Sequence, residues 1–443
     1  MANHRALKAL AGALLLVWAA PPAPAAEPDV KAILKRLLTR VSANDSSMQN
    51  YTCVETVRRD YFRPAASTLP RSCPALLAAR QHPTSDLVLK LQSTDRLRLD
   101  VAIMEQGEIF SWVGASRFED SNIDQVVREG PIGSGAFGAF LGVIFEKDAK
   151  TLNYAGMVIL NGRGLAEFTF AVAQEKSHYM VRLMDGGRTA SAYSGRVLVD
   201  PETGDPVHLT VRTNELPEAT GSCASIADLD YKRVKIGDRE LLLPASTRQR
   251  FISRNGRETE NSTTFASCRE YATESTVNFY QDPEPAATAT VKVTAAAPTV
   301  PAGLRLVFEL TGAIETDSAA VGDQFAGRLT EPLRDGRQVL APKGAVVEGR
   351  ITTMQIGYLP SPTGLVGLSP RRIEIKGVRT PLSALPDSRT VIAAGKKSAK
   401  RGFEIFLPPR GEFSGIFHFT GAAYVFRRGF VSEWVTAVQP RPR

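Results

Sequence analysis

Histidine, cysteine and long apolar runs are scarce in these 443 residues, and each scarcity closes off a class of function. Beyond the N-terminal segment no apolar stretch reaches the roughly 20 residues that a membrane-crossing helix needs. The mean hydropathy of −0.12 agrees. Outside that segment the histidines are His82, His178, His208 and His418, at no spacing that one helix or hairpin uses to chelate a metal. C-x-x-C, H-E-x-x-H and G-x-S-x-G are all absent, which removes the common zinc and acyl-transfer signatures. Asp228 with Asp230 and Glu215 with Glu218 read as solvated strand and loop charges, and His208, opposite in alternation to Val207, Leu209 and Val211, is expected to face water. No catalytic constellation, metal or cofactor is therefore predicted, and the expectation is a protein that is not an enzyme.

What is present begins with an export signal. Arg5 and Lys8 precede an apolar run from Ala9 to Ala20, and Ala23-Pro24-Ala25 supplies the small-x-small pattern cut by signal peptidase, so residues 1–25 are expected to be removed. No cysteine precedes Cys53, which argues against an acylated N-terminus and for a soluble or peripheral protein in the periplasm or associated with the outer membrane. From Gly303 onward 20 Lys and Arg face 12 Asp and Glu, so the basic character belongs to the C-terminal region. In an exported protein this favours anionic envelope surfaces or envelope proteins as partners over nucleic acid. Lys396, Lys397, Lys400 and Arg401, in one Gly-bounded loop, are the candidate contacts to an acidic surface.

Cys53, Cys73, Cys223 and Cys268 form an even set, which in an oxidising compartment reads as two disulfides. Three connectivities exist. The pairing of neighbours, Cys53 with Cys73 and Cys223 with Cys268, is favoured because each closes a moderate loop.

Periodicity organises the rest. Val30, Ile33, Leu34, Leu37, Leu38 and Val41 give a helix over about Asp29–Ser42, with Asp29 as N-cap. Leu97, Leu99, Val101 and Ile103 alternate with polar residues and lead through Gln106-Gly107 into Ile109–Val113, a hairpin. Turn sequences at Asp185-Gly186-Gly187, Asp200–Gly204, Gly237-Asp238 and Asn255-Gly256 extend it into an antiparallel meander. Gly133, Gly135 and Gly138 match G-x-G-x-x-G, yet no strand precedes them and no parallel βαβ unit surrounds them, so a dinucleotide site is not expected. The stretch 122–145 reads instead as a helix or loop lying across the sheet, with Phe137, Phe140, Leu141 and Ile144 as candidates to line an apolar ligand cavity. A Pro-, Ala- and Thr-rich linker over 283–301 divides a β domain at 26–282 from a basic β domain at 302–443, a small barrel or sandwich.

The region 28–281 resembles the LolA/LolB-like carriers and receptors of outer-membrane lipoproteins, through the strand and turn Ser194–Gly204 and through Leu241-Leu242-Leu243-Pro244 after a long strand. The resemblance implies a mainly β fold, an antiparallel sheet curved around apolar space that helices close, and a lipid or lipoprotein acyl chain as ligand. Residues 300–437, through Pro301-Ala302-Gly303-Leu304, Val321-Gly322-Asp323 and Ala341–Gly349, are similar to the β-barrel domain of type IV secretion scaffold proteins. That implies an assembly module. The expectation is an apolar-ligand carrier, which requires a cavity of roughly 300 Å³ or more. The alternative is a scaffold presenting β surfaces.

Overall fold

A computed structural model describes residues 29–438, apart from 49–50, 66–69, 71, 82–87, 105–106, 116–117, 119–122, 214–215, 271–298, 388–402 and 407–412. The signal segment, nearly all of the linker, His82, Lys396, Lys397, Lys400 and Arg401 lie outside the described residues. The fold is mainly β, with few helices. Among the described residues no helix is long and apolar enough to cross a membrane.

Helix α1 spans Val30–Met48. Asp29 accepts the Ala32 N–H at 3.0 Å, the expected cap. Ile33, Leu37 and Val41 are buried on one face. The helix runs a turn and a half beyond the predicted end, held by the Asn44 side chain, which bonds the Leu242 backbone at 3.0 and 2.7 Å, and by burial of Met48 beside Tyr51.

Strand β1 is Tyr51–Pro64, followed by α2 (Cys73–Gln81), β2 (Leu89–Met104), β3 (Gly107–Trp112), α3 (Ile123–Val126) and α4 (Ala139–Gly142). Then come β4 (Asn153–Leu160), β5 (Arg163–Val172), the small hairpin β6 (Met180–Arg182) and β7 (Arg188–Ala190), β8 (Tyr193–Val199) and β9 (Pro206–Arg212). Three long strands, β10 (Ser222–Ile236), β11 (Arg239–Ser253) and β12 (Glu258–Glu270), complete the region. All four predicted turns sit between antiparallel neighbours. The spatial order is β4-β5-β8-β9-β10-β11-β12-β1-β2-β3, so the first strand is inserted between the last and the second. Inward residues of β5, β8, β9 and β10 pack with α1 and α4 in one core, and those of β1, β2 and β3 pack with Phe137 and Leu243 in another.

The second region comprises β13 (Arg305–Leu310), β14 (Ile314–Glu315), β15 (Gln324–Leu329), β16 (Leu333–Asp335), β17 (Gln338–Ala341), β18 (Val346–Gly357) and β19 (Thr363–Ile375). It ends with β20 (Val378–Pro381), β21 (Ala384–Pro386), β22 (Phe403–Phe406), β23 (Gly415–Thr420), β24 (Val425–Phe426) and β25 (Val431–Thr436). Its core gathers Phe308, Phe417, Phe419, Phe426 and Trp434.

The two regions share one sheet. β18 pairs with β15 through its first half and with β2 through its last residues, Gln355 opposite Asp95 and Gly357 opposite Ser93. Beside this, Val321 exchanges backbone bonds with Arg96 and Arg98, both 2.8 Å. Arg350 donates to the Val113 carbonyl at 2.9 Å, and Arg98 forms an ion pair with Asp323. The Val321-Gly322-Asp323 turn is thus the docking point. Gly322 has φ +104°, and a Cβ there would meet the Arg98 carbonyl at 2.3 Å, so no other residue lets the backbones approach. Burial lowers the Arg350 pKa to about 10, with Arg371 adding to it.

Candidate functional site

The inner face of the first region carries polar side chains where an apolar lining is expected, and their partners explain them. The irregular segment 129–139 crosses this face, and its backbone groups have no ladder to join. Arg59 takes the Glu129 carbonyl at 2.6 Å while holding Asp95 through two bonds of 2.7 and 2.6 Å. Asn261 donates to the Pro131 carbonyl at 3.1 Å. Glu108 accepts the N–H groups of Gly135 at 2.6 Å, Gly138 at 2.9 Å and Ala139 at 3.3 Å. Two of the three glycines of the G-x-G-x-x-G match, Gly135 and Gly138, therefore cradle the chain's own carboxylate. Gly135, at φ +100°, is a position where a side chain would be strained.

Two carboxyls meet in this interior. Burial pushes the Glu55 pKa well above the usual carboxylate range, and the neighbouring Glu108 pushes it further. Burial also raises Glu108, against which the cradling amides pull it down. A carboxyl raised by folding keeps its proton where the unfolded chain has released it. Its contribution therefore favours unfolding increasingly as pH climbs from the unfolded value of about 4.3 toward the folded one. Glu55→Gln removes that proton release, so the variant should match wild type in urea unfolding near pH 4 and exceed it at pH 8. Parallel pH profiles for the two proteins would refute the assignment.

The four candidate cavity residues divide between the two cores. Phe137 packs against Phe265 in a tilted pair with centroids 5.3 Å apart, in the same core as Met48, Tyr51 and Leu243. Phe140, Leu141 and Ile144 pack with α1 and β5, and Phe140 stacks on Tyr179 at 5.9 Å. All four are buried. A cavity of about 430 Å³ lies elsewhere, between the β10–β11 hairpin end and the last residues of β12, and none of the four lines it. Val234, Ile236, Leu243, Pro244, Phe265 and Cys268 make up its apolar wall, and Lys232 and Lys235 stand exposed at its edge. Phe265 joins it to the core through Phe137. Its residues come from the consecutive strands β10, β11 and β12, which alternation and turn residues identify as a meander without showing where the strand ends leave space between them.

The disulfides correct the expected pairing. Cys53 is bonded to Cys268 and Cys73 to Cys223, with Cα separations of 4.0 and 5.2 Å. The reason is the sheet order: β1 runs antiparallel to β12, with Thr52 opposite Arg269 and Val54 opposite Ala266, which brings Cys53 to Cys268 across a bulge. Cys73, opening α2, meets the start of β10 and is buried with Leu76, Cys223 and Ile252. Closeness in sequence is a poor guide where the first and last strands of a region are neighbours.

His208 is also corrected. Its side chain is only 19% exposed, with Nδ1 at 2.8 Å from Asp230 and Nε2 at 3.2 Å from the Thr210 hydroxyl. That hydroxyl donates its proton to Asp228 at 2.8 Å, so it does not serve as a nucleophile activated by the imidazole. Asp228 and Asp230 remain partly solvated. His178 lies 2.9 Å from buried Asp148, which also accepts the Tyr193 hydroxyl at 2.6 Å. Among the described residues no group of three or more His, Cys, Asp or Glu could hold a metal.

No protein-family model and no curated protein sequence matches the chain. Solved structures do. A LolA superfamily protein from Nitrosomonas europaea aligns at 8% identity and a TM-score of 0.25, covering 54% of this chain and 92% of that one. A putative outer membrane lipoprotein-sorting protein domain from Vibrio parahaemolyticus aligns at 10% identity and 0.24, covering 54% and 93%. A DUF1329 family protein from Desulfovibrio piger aligns at 11% identity and 0.24, covering 57% and 96%. The chain is similar to these in architecture.

Proposed function

We propose that this protein is an exported, non-catalytic envelope protein that binds an amphipathic ligand, a lipid or a single acyl chain, at the edge of its first β region. The observation that carries the reading is the partly open cavity of about 430 Å³ walled by Val234, Ile236, Leu243 and Phe265 and rimmed by Lys232 and Lys235. Its volume falls within the roughly 300–1,000 Å³ of small-ligand sites, and a wall that mixes apolar side chains with polar surface and two lysines suits a chain ending in an acidic group. The closed cores around Phe137 and Phe140 favour this edge over the middle of the sheet as the binding place.

Native mass spectrometry of the oxidised protein, followed by solvent extraction, is the test. The expected result is a co-purifying acyl species whose occupancy drops several-fold in Ile236→Glu, a substitution at a half-buried wall position. Wild-type protein that is free of any such species, and that takes up none from lipid vesicles, would sink the proposal.

A further inference from the structure

The sheet of the first region has an end at β4. Among the described residues β4 pairs with β5 only, so its other edge offers unpaired backbone donors and acceptors. Soluble proteins usually guard such an edge with charge, proline or brevity. β4, Asn-Tyr-Ala-Gly-Met-Val-Ile-Leu, has neither charge nor proline over its eight residues, and its bulge between Tyr154 and Gly156 leaves Met157–Leu160 in regular pairing with an open outer edge. Met157 and Ile159 are 46% and 78% exposed. Their register, Met157 opposite Ala166 and Ile159 opposite Gly164, places them on the inner side, where Ala166 is fully buried. The apolar row of the core thus runs outward across β5 and ends uncovered on β4.

We infer that β4 is the self-association edge of this protein and that its occupant is the β4 strand of a second copy. Complementarity selects that partner. An incoming strand has to bury Met157 and Ile159 beside an uncharged backbone edge, and a charged strand would lose hydration with nothing to pair against. The second copy supplies an extended, charge-free strand of the same length, and antiparallel pairing of identical strands closes a two-fold dimer. Centred on Val158, it sets Met157 of each copy opposite Ile159 of the other, two apolar cross-strand pairs on the inner face. One strand pair buries less than the ~1,200 Å² at the lower bound of stable interfaces, so the dimer belongs to the weak, reversible class. Having no ions in it, it is insensitive to salt.

Sedimentation velocity of the whole oxidised protein over a concentration series, at low and high salt, reads this out. The expected result is a monomer–dimer equilibrium unchanged by salt and weakened at least tenfold by Ile159→Lys. Because Ile159 is so exposed, that variant should keep the wild-type circular dichroism spectrum; Met157→Lys serves as the second variant if it does not. The double substitution Met157→Lys with Ile159→Glu faces opposite charges across the two-fold axis and should restore a dimer that is now salt-sensitive. A wild-type protein that stays monomeric throughout the series, or dimerises equally well with Ile159→Lys, overturns the inference. A double variant that stays monomeric overturns the register.

Discussion

Reducing the two disulfides is expected to destabilise the first region more than any single substitution. The bridges join residues 150 and 215 positions apart, far beyond the neighbouring loops that sequence proximity suggested. In the chain-entropy account, a cross-link closing a loop of 100 residues or more removes about 5 kcal/mol of freedom from the unfolded chain. Domain stabilities are typically about 5–15 kcal/mol, so loss of either bridge is a large fraction of the total. Urea unfolding with and without reductant should show a lower midpoint and, if the unfolded chain expands, a steeper dependence on urea. Peptide mapping of the unreduced protein should recover Cys53 linked to Cys268 and Cys73 linked to Cys223. Recovery of Cys53 with Cys73 would contradict the insertion of β1 beside β12.

Truncating Glu108 comes next. Its carboxylate gathers the amides of Gly135, Gly138 and Ala139, and Glu108→Ala leaves all three without their acceptor. A buried donor left unmatched costs about 1–3 kcal/mol; because Glu108 is half-buried and water can reach part of the site, about 3 kcal/mol in all is the reasonable expectation. Glu108→Gln keeps an acceptor oxygen and should lose less. Hydrogen exchange localises the effect: the amides of 135–139 should become the fastest-exchanging group in the segment while β10 and β11 keep their protection. Unchanged protection at 135–139 in Glu108→Ala would mean that the loop is held by packing alone.

What was readable in the sequence was what depends on near neighbours. The α1 stripe, its Asp29 cap, the hairpins at Gly237 and Asn255, and the antiparallel character all follow from spacings of two to four residues, and the structure has each of them. What was not readable depends on which strands become neighbours. The Cys53–Cys268 bond and the joining of β18 to β2 follow from the order of strands in the sheet, which alternation does not encode. Glu55 and Glu108 were overlooked for another reason. Carboxylates normally mark a solvated face, and only the crossing of the inner face by the Gly-rich segment turns an inward carboxylate into an acceptor for stranded amides. Phe137, Phe140, Leu141 and Ile144, expected to line one apolar cavity, are divided between two packed cores, a division that lies beyond pattern reading.

The continuity of the sheet across β2 and β18 also governs the order in which the chain can mature. β2 is flanked on one edge by β1, whose other neighbour β12 pairs Glu258 with Phe62 and Arg269 with Thr52, far downstream, and on its other edge by β3 through Leu99–Met104 and by residues 355–357 through Ser93–Asp95. A chain made from its N-terminus can pair β2 with β1 and β3 early, but the far edge of β1 and the Ser93–Asp95 edge of β2 stay open until β12 and residues 355–357 have been synthesised, and partners so distant in sequence close slowly. For most of its assembly the nascent protein presents two unfinished ladders. It therefore needs protection from aggregation longest at the two open edges, on β1 and at the start of β2, that end up inside the finished sheet.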